Sequence, residues 1–217
     1  MEMWNADGTR AEMCGNGIRC VGKYVYDKGY TDKTELTVET LSGIRRLSLR
    51  TEGGRVTEVS VDMGQARAAE PLSLTAAGEA VVCIPVDVGN PHCVVFREAG
   101  ETLTDALLTT VGAALEHHPA FPGGVNAEFV QVLGDCHLRM RVWERGSGET
   151  CACGTGATAT AVAAILNGYC DRKVTVKLNG GDLHITWDEK TNHLFMEGSA
   201  SYVFEIKDYP LACEKLS

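Results

Sequence analysis

Aromatic side chains are scarce in this 217-residue chain, at 6%, and proline occurs only 6 times. Packing must therefore rest on aliphatic and small side chains rather than on aromatic anchors. No run of five basic residues occurs and the formal net charge is −9. That argues against a nucleic-acid partner, whose nonspecific affinity comes from Lys and Arg neutralising phosphates. No apolar stretch approaches the about 18 residues of a membrane-spanning helix, and Met1-Glu2-Met3-Trp4-Asn5 lacks the basic start and apolar run of a signal peptide. The sequence reads as that of a soluble, cytoplasmic protein. Also missing is any C-x-x-C pair. The nearest approach, Cys151 and Cys153, has no second pair to complete a zinc site.

What is present is ordinary for a folded chain: 44% hydrophobic and 23% charged residues, with 24 glycines. The length allows one large domain or two small ones. Cysteines number 9, at irregular spacings, which speaks against a secreted disulfide framework. Most read as small buried hydrophobes in a reducing compartment.

One internal offset stands out. Shifted by 139 positions, Trp4 meets Trp143, Cys14 meets Cys153, Gly15 meets Gly154 and Gly17 meets Gly156. The match continues through Gly29 with Gly168, Tyr30 with Tyr169 and Asp32 with Asp171. This reads as a duplication, each half carrying one Cys-Gly-x-Gly. Val21, Tyr24 and Val25, and in the second copy Ala161, Val162, Ala164, Ile165 and Leu166, recur at helical spacing. Gly29 and Gly168 stand where a helix C′ glycine belongs. Strands are predicted over 36–41 and 46–49, and again over 174–178 and 183–187. Each Cys-Gly-x-Gly thus falls where a loop enters the first turn of a helix. The second half begins near Val82, so equivalence of the halves implies that about fifty to sixty residues of the first are absent.

A cysteine at a helix start feels the positive end of the dipole and unpaired N–H groups, which favour the thiolate. The glycines beside it let a ligand approach those N–H groups. Pseudo-twofold symmetry would set the two motifs across one cleft. Inverting a carbon stereocentre by proton transfer needs a base on one face and an acid on the other, and two cysteines can exchange those roles without a cofactor. The helix N-termini would hold a substrate carboxylate and stabilise charge developing on it.

These residues resemble the diaminopimelate epimerase family, cofactor-independent two-cysteine enzymes of lysine synthesis. The resemblance runs through Asn5-Ala6-Asp7-Gly8, Met13-Cys14-Gly15-Asn16-Gly17-Ile18-Arg19-Cys20, Gly89-Asn90-Pro91-His92-Cys93 and Val125-Asn126-Ala127-Glu128-Phe129. It closes with Glu144-Arg145-Gly146-Ser147-Gly148-Glu149-Thr150 and Ala152-Cys153-Gly154-Thr155-Gly156. Proline racemases and phenazine-synthesis isomerases share the fold but resemble the chain less. The resemblance implies an α+β fold of two pseudosymmetric halves, each a mainly antiparallel sheet wrapped around a central helix, the first truncated here. It places an incomplete first half at 1–81, a second half at 82–200, and a segment 201–217 returning to the first half, with Tyr202–Ile206 as the returning strand.

It further implies that Cys14 and Cys153 are the acid/base pair and that N–H groups of Gly15, Asn16, Gly154 and Thr155 hold the carboxylate at the reacting centre. Asn5, Asn90, Asn126, Glu144 and Arg145 would read the distal end, Arg145 pairing its carboxylate. His92 would lie beside a catalytic thiol and assist its ionisation. The implied activity is conversion of LL- to meso-diaminopimelate, an isomerase reaction with a small amino-acid substrate, no cofactor and no metal. Neither nucleic acid nor membrane is a partner, and a homodimer is open. Family elements absent from this chain, a G-N-D-F segment and a later Gln, leave two alternatives: a racemase of another amino acid, or an inactive fragment.

Other residues have plainer readings. His117 and His118, adjacent before Pro119, fit a solvated helix end. His137, His184 and His193 have no acidic or thiol partner at ligand spacing and read as surface or hydrogen-bonded residues. Glu144-Arg145 taken alone is a surface ion pair, and Ala157–Leu166 a buried central helix. Cys151 is a surface residue or a thiol able to pair with a neighbour.

Overall fold

The structure is a computed structural model that describes residues 1–4, 8, 10, 13–98 and 100–206. Asn5, Ala6, Asp7, Cys213 and segment 207–217 lie outside the described residues.

The duplication appears first as two helices of 13 residues, α1 (Gly15–Asp27) and, later in the chain, Gly154–Leu166. Cys14 caps the first with φ −133° and ψ 115°, and Cys153 the second with −125° and 114°. Both end alike. Gly29 N–H donates to Tyr26 O and Tyr30 N–H to Val25 O, each at 2.9 Å, as Gly168 and Tyr169 do to Ile165 and Ala164. Gly29 at φ +75° and Gly168 at +72° take the left-handed position that this closure requires. Trp4 bridges Arg10 in antiparallel fashion, and Trp143 faces Glu149 in the same way, so the 139-residue offset persists in pairing.

After α1 come β1 (Glu35–Thr40), β2 (Gly43–Glu52), β3 (Arg55–Gly64), β4 (Arg67–Ala68), β5 (Leu72–Ala76), β6 (Glu79–Asp87) and β7 (Pro91–Arg97). Two short helices, α2 (Asp105–Leu107) and α3 (Ala113–Glu116), flank a π-helical turn at Leu108–Gly112. Then follow β8 (Asn126–Gly134), β9 (His137–Glu144), β10 (Gly148–Thr150), α4 (Gly154–Leu166), β11 (Lys173–Leu178), β12 (Gly181–Trp187) and β13 (Leu194–Ser199). Among the described residues these strands form one sheet in the order β1-β2-β3-β13-β12-β11-β9-β8-β7-β6-β4, with β10 on β9 and β5 on β6. Pairing is antiparallel except between β7 and β8 and between β9 and β11. Around the β3–β13 seam the order is mirrored, β1-β2-β3 facing β11-β12-β13. The α+β architecture of two related sheet–helix units is thus as expected.

The helices differ in how they are enclosed. Ala157, Ala159 and Ala161–Ala164 of α4 have no exposed surface, while Leu166 at its end is exposed. Small side chains on every face let strands close around it. Helix α1 buries one face, Gly15, Ile18, Arg19 and Gly22. The expected apolar positions Val21, Tyr24 and Val25 lie off that face, Tyr24 being exposed. The reason is close packing: a methyl on Gly22 would stand 2.9 Å from Leu47 Cδ2 and 3.1 Å from Leu49 Cδ2.

One further expectation needs correction. Tyr202–Ile206 is not a strand; it runs along α1, with Glu205 2.9 Å from Lys28 Nζ and the Tyr202 ring beneath Lys23 and Lys28. The strand that ties the halves together is β13, whose inward Leu194, Met196 and Gly198 leave room for pairing with both β12 and β3. Val82 lies in β6, which begins directly after a reversal at Ala77 and Gly78, where both residues have positive φ.

Candidate active site

The two helix starts touch. A methyl on Gly15 would lie 3.4 Å from Gly154 Cα, and one on Gly154 would lie 3.3 Å from Gly15 Cα. Met196 of β13 fills the space beneath: its Cε would be 2.9 Å from the first methyl and its Sδ 2.8 Å from the second. Only glycine at both positions lets the helices abut. Asn16 crosses the junction, its Nδ2 donating to Ala152 O at 3.0 Å.

Each cysteine sulfur caps its own helix. Gly17 N–H donates to Cys14 Sγ at 3.3 Å and Gly156 N–H to Cys153 Sγ at 3.4 Å. The first helical bonds, Ile18 N–H to Cys14 O and Ala157 N–H to Cys153 O, begin one residue further on. The N–H groups of Gly15, Asn16, Gly154 and Thr155 have no acceptor within their own helices, as for any first turn. Two sets of such donors at abutting positive helix ends make a place for an anion.

The cysteines have different surroundings. Cys153 is buried, and burial pushes its thiol well above the ordinary range, with the carboxylates of Glu144 and Glu128 acting in the same direction. The Thr155 hydroxyl, 3.5 Å from the sulfur, and the Gly156 N–H act against that shift. Cys14 is half-buried. Five residues after it Arg19 is buried, its Nη1 donating to Gly15 O at 3.3 Å and Asn16 Oδ1 at 3.1 Å and its Nε to Ser199 O at 3.3 Å. This guanidinium ties the α1 start to the end of β13.

Parallel pairing of β7 with β8 sets His92 opposite Asn126. His92 Nδ1 is 2.7 Å from Glu128 Oε1 and Nε2 is 3.0 Å from Asn90 Oδ1. Both ring nitrogens are thus engaged by these two residues. Asn90 Nδ2 in turn donates to Thr155 Oγ1 at 3.4 Å. Asn126 Nδ2 donates to Pro91 O at 2.8 Å, and its Oδ1 accepts from Arg145 N–H at 3.0 Å. Glu144 and Arg145 do not pair with each other. Glu144 accepts from the Thr150 hydroxyl, and Arg145 Nη1 donates to Gly123 O at 3.1 Å.

Three side chains absent from the expected set shape the site. Glu128 is fully buried against the α4 start, its Oε1 2.7 Å from where a methyl on Gly156 would be. Glu116 accepts from Trp143 Nε1 and from Gly146 N–H, both at 2.7 Å, and so holds the turn bearing Glu144 and Arg145. Met196 is the third. Glu128 was visible as part of an N-x-E segment; Glu116 and Met196 carry no local signal. Of the remaining histidines, His117 and His118 follow the end of α3 as expected, and His193 is hydrogen-bonded, its Nδ1 2.9 Å from Asp62 Oδ1. Among the described residues no three His, Cys, Asp or Glu side chains are placed to hold a metal ion.

Comparison with known proteins bears on this arrangement. The profile of the diaminopimelate epimerase family matches residues 1–69 and 84–203. A diaminopimelate epimerase of Phocaeicola vulgatus is 51% identical over 217 residues, covering 94% of this chain and 76% of its own. One of Moorella thermoacetica is 50% identical over 224 residues, covering 97% and 79%. In fold, the chain is similar to a probable proline racemase from Agrobacterium radiobacter (TM-score 0.70, 17% identity, 96% of this chain and 72% of the other). It is also similar to a phenazine biosynthesis protein of the PhzF family from Bacillus anthracis (TM-score 0.67, 14% identity, 91% and 76%).

Proposed function

The chain belongs to the diaminopimelate epimerase family, and on that premise we propose that it interconverts LL- and meso-diaminopimelate in lysine biosynthesis by proton transfer between Cys14 and Cys153. The observation that carries the mechanism is the abutment of two cysteine-capped helix starts, Gly15 against Gly154. A thiolate on one side takes the α-proton and becomes a thiol. The thiol opposite delivers its proton to the other face of the carbanion and becomes the thiolate. Burial raises the Cys153 thiol, which suits it to be the donor for one substrate hand, with Cys14 in the opposite role.

The substrate α-carboxylate would sit at the N–H groups of Gly15, Asn16, Gly154 and Thr155. Preorganised donors of this kind lower the barrier by about 3 kcal/mol each. Asn90, Asn126, Glu144 and Arg145, with Asn5, would read the distal amino-acid end, the Arg145 guanidinium suiting a carboxylate. The reaction as written needs no cofactor and no metal. Free thiols suit a reducing cytoplasm, and the partner is a small amino acid.

Incubation with LL- or meso-diaminopimelate in deuterated water tests the reading. Deuterium is expected at the α-carbon with the wild type and not with Cys14→Ser or Cys153→Ser. Exchange with other amino acids but not diaminopimelate would assign a different racemase activity. A folded protein that exchanges no substrate would refute the activity for this chain.

A further inference from the structure

Glu128 is wholly buried, and among the described residues the only side chain it meets at hydrogen-bond distance is His92, 2.7 Å from Oε1. The route from His92 leads through Asn90 to Thr155 and ends at the Cys153 sulfur. The direction of this chain has consequences. An amide oxygen only accepts, so the contact with Asn90 Oδ1 requires the proton on His92 Nε2. Thr155 Oγ1, accepting from Asn90 Nδ2, is then left with its own hydrogen for Cys153. Were the proton on Nδ1 alone, Asn90 would turn over, and the Thr155 hydroxyl would be drawn towards the amide oxygen and away from the sulfur.

We propose that Glu128 is a positioning residue: by sharing one proton with His92 it keeps His92 Nε2 protonated, and so points the Thr155 hydroxyl at Cys153. This rests on the two-cysteine reading above. A buried carboxylate and imidazole with one proton between them are neutral as a pair, whereas an unprotonated carboxylate beside a neutral ring would be an uncompensated buried charge. The groups that face the pair strengthen the preference. Glu144 and the Cys153 thiolate formed in the reaction are negative or become so, and Cys93 on β7 contributes only a thiol and a backbone N–H. Sharing the proton thus offsets the charge by which an ionised Glu128 pushes the Cys153 thiol up, while the hydroxyl and the Gly156 N–H supply two donors to the thiolate.

Nitrogen-15 spectra of histidine-labelled protein test this without requiring turnover. In the wild type, His92 is expected with Nε2 protonated; a bare Nε2 would overturn the proposal. In Glu128→Leu, where no acid on Nδ1 fixes the proton at Nε2, kcat for α-deuterium exchange should fall about tenfold or more, the effect of a lost donor to a charged acceptor, with KM unchanged. Glu128→Gln can still donate to Nδ1 and should stay within about threefold of wild type. A folded Leu variant with wild-type kcat, a loss carried by KM, or a Gln variant as impaired as expected for Leu would each refute the assignment. If the Leu variant does not fold, the wild-type spectrum and the Gln variant decide. Absence of exchange by the wild type would count against the activity, and the spectrum would still judge Glu128.

Discussion

Gly15 and Gly154 are where the site is most sensitive to a single atom. A methyl on either would stand 3.3–3.4 Å from the other's Cα and 2.8–2.9 Å from Met196, so it must displace a buried thioether and then meet main chain that cannot yield. Gly154→Ala is expected to lower stability by about 1–3 kcal/mol, as overpacking of a close contact does. Urea unfolding monitored by circular dichroism would show the shift, and an unchanged midpoint would mean that the helix starts are not in contact. The Cys-Gly-x-Gly motifs told of glycine in the sequence, but the reason for it, a neighbour contributed by β13, came only with tertiary contact. The same holds for Glu116, whose carboxylate serves a turn 30 residues away.

At the level of single elements, α1 and α4 share length, cap and closure, yet α1 needs outside ties. Asp27 in its last turn accepts from Val56 N–H at 2.8 Å and stands 2.8 Å from Lys23 Nζ, linking the helix to the first residues of β3. Burial opposes the ionised carboxylate, but these partners outweigh it and hold Asp27 below its ordinary 3.8. A lowered folded-state value means that the stabilisation is present above that pH and is lost as pH falls through the folded value. Asp27→Ala should therefore cost about 1.5–3 kcal/mol at neutral pH, the effect of lost bonds to a charged group, and progressively less below pH 3.8. Equal penalties at pH 7 and pH 3 in denaturant titrations would contradict this assignment. Helix ends were legible from Gly29 and Gly168, and the strands after each helix within a few residues. The buried face of α1 was not, because Gly22 and Arg19 occupy it where an apolar stripe would be sought.

For the whole molecule, β13 joins two related units into one sheet. Its pairing with β3 on one edge and β12 on the other means that neither side can unfold without exposing the buried seam of Val59, Val61, Leu194 and Met196. One cooperative unfolding transition is expected by calorimetry, since both units share a core. Two resolved transitions would show that the seam does not couple them.

Local chemistry in the sequence by itself determined the duplication, the cysteine-capped helix starts, the glycine closures and the family motifs, because helix capping and turn formation depend on residues a few positions apart. Tertiary structure decided which residues those motifs meet. It put Met196 under both helix starts, exchanged the expected returning segment for β13, and set His92 between Glu128 and Asn90. These contacts join residues distant in sequence through strand register and sheet order, and no periodicity or spacing within a segment encodes them.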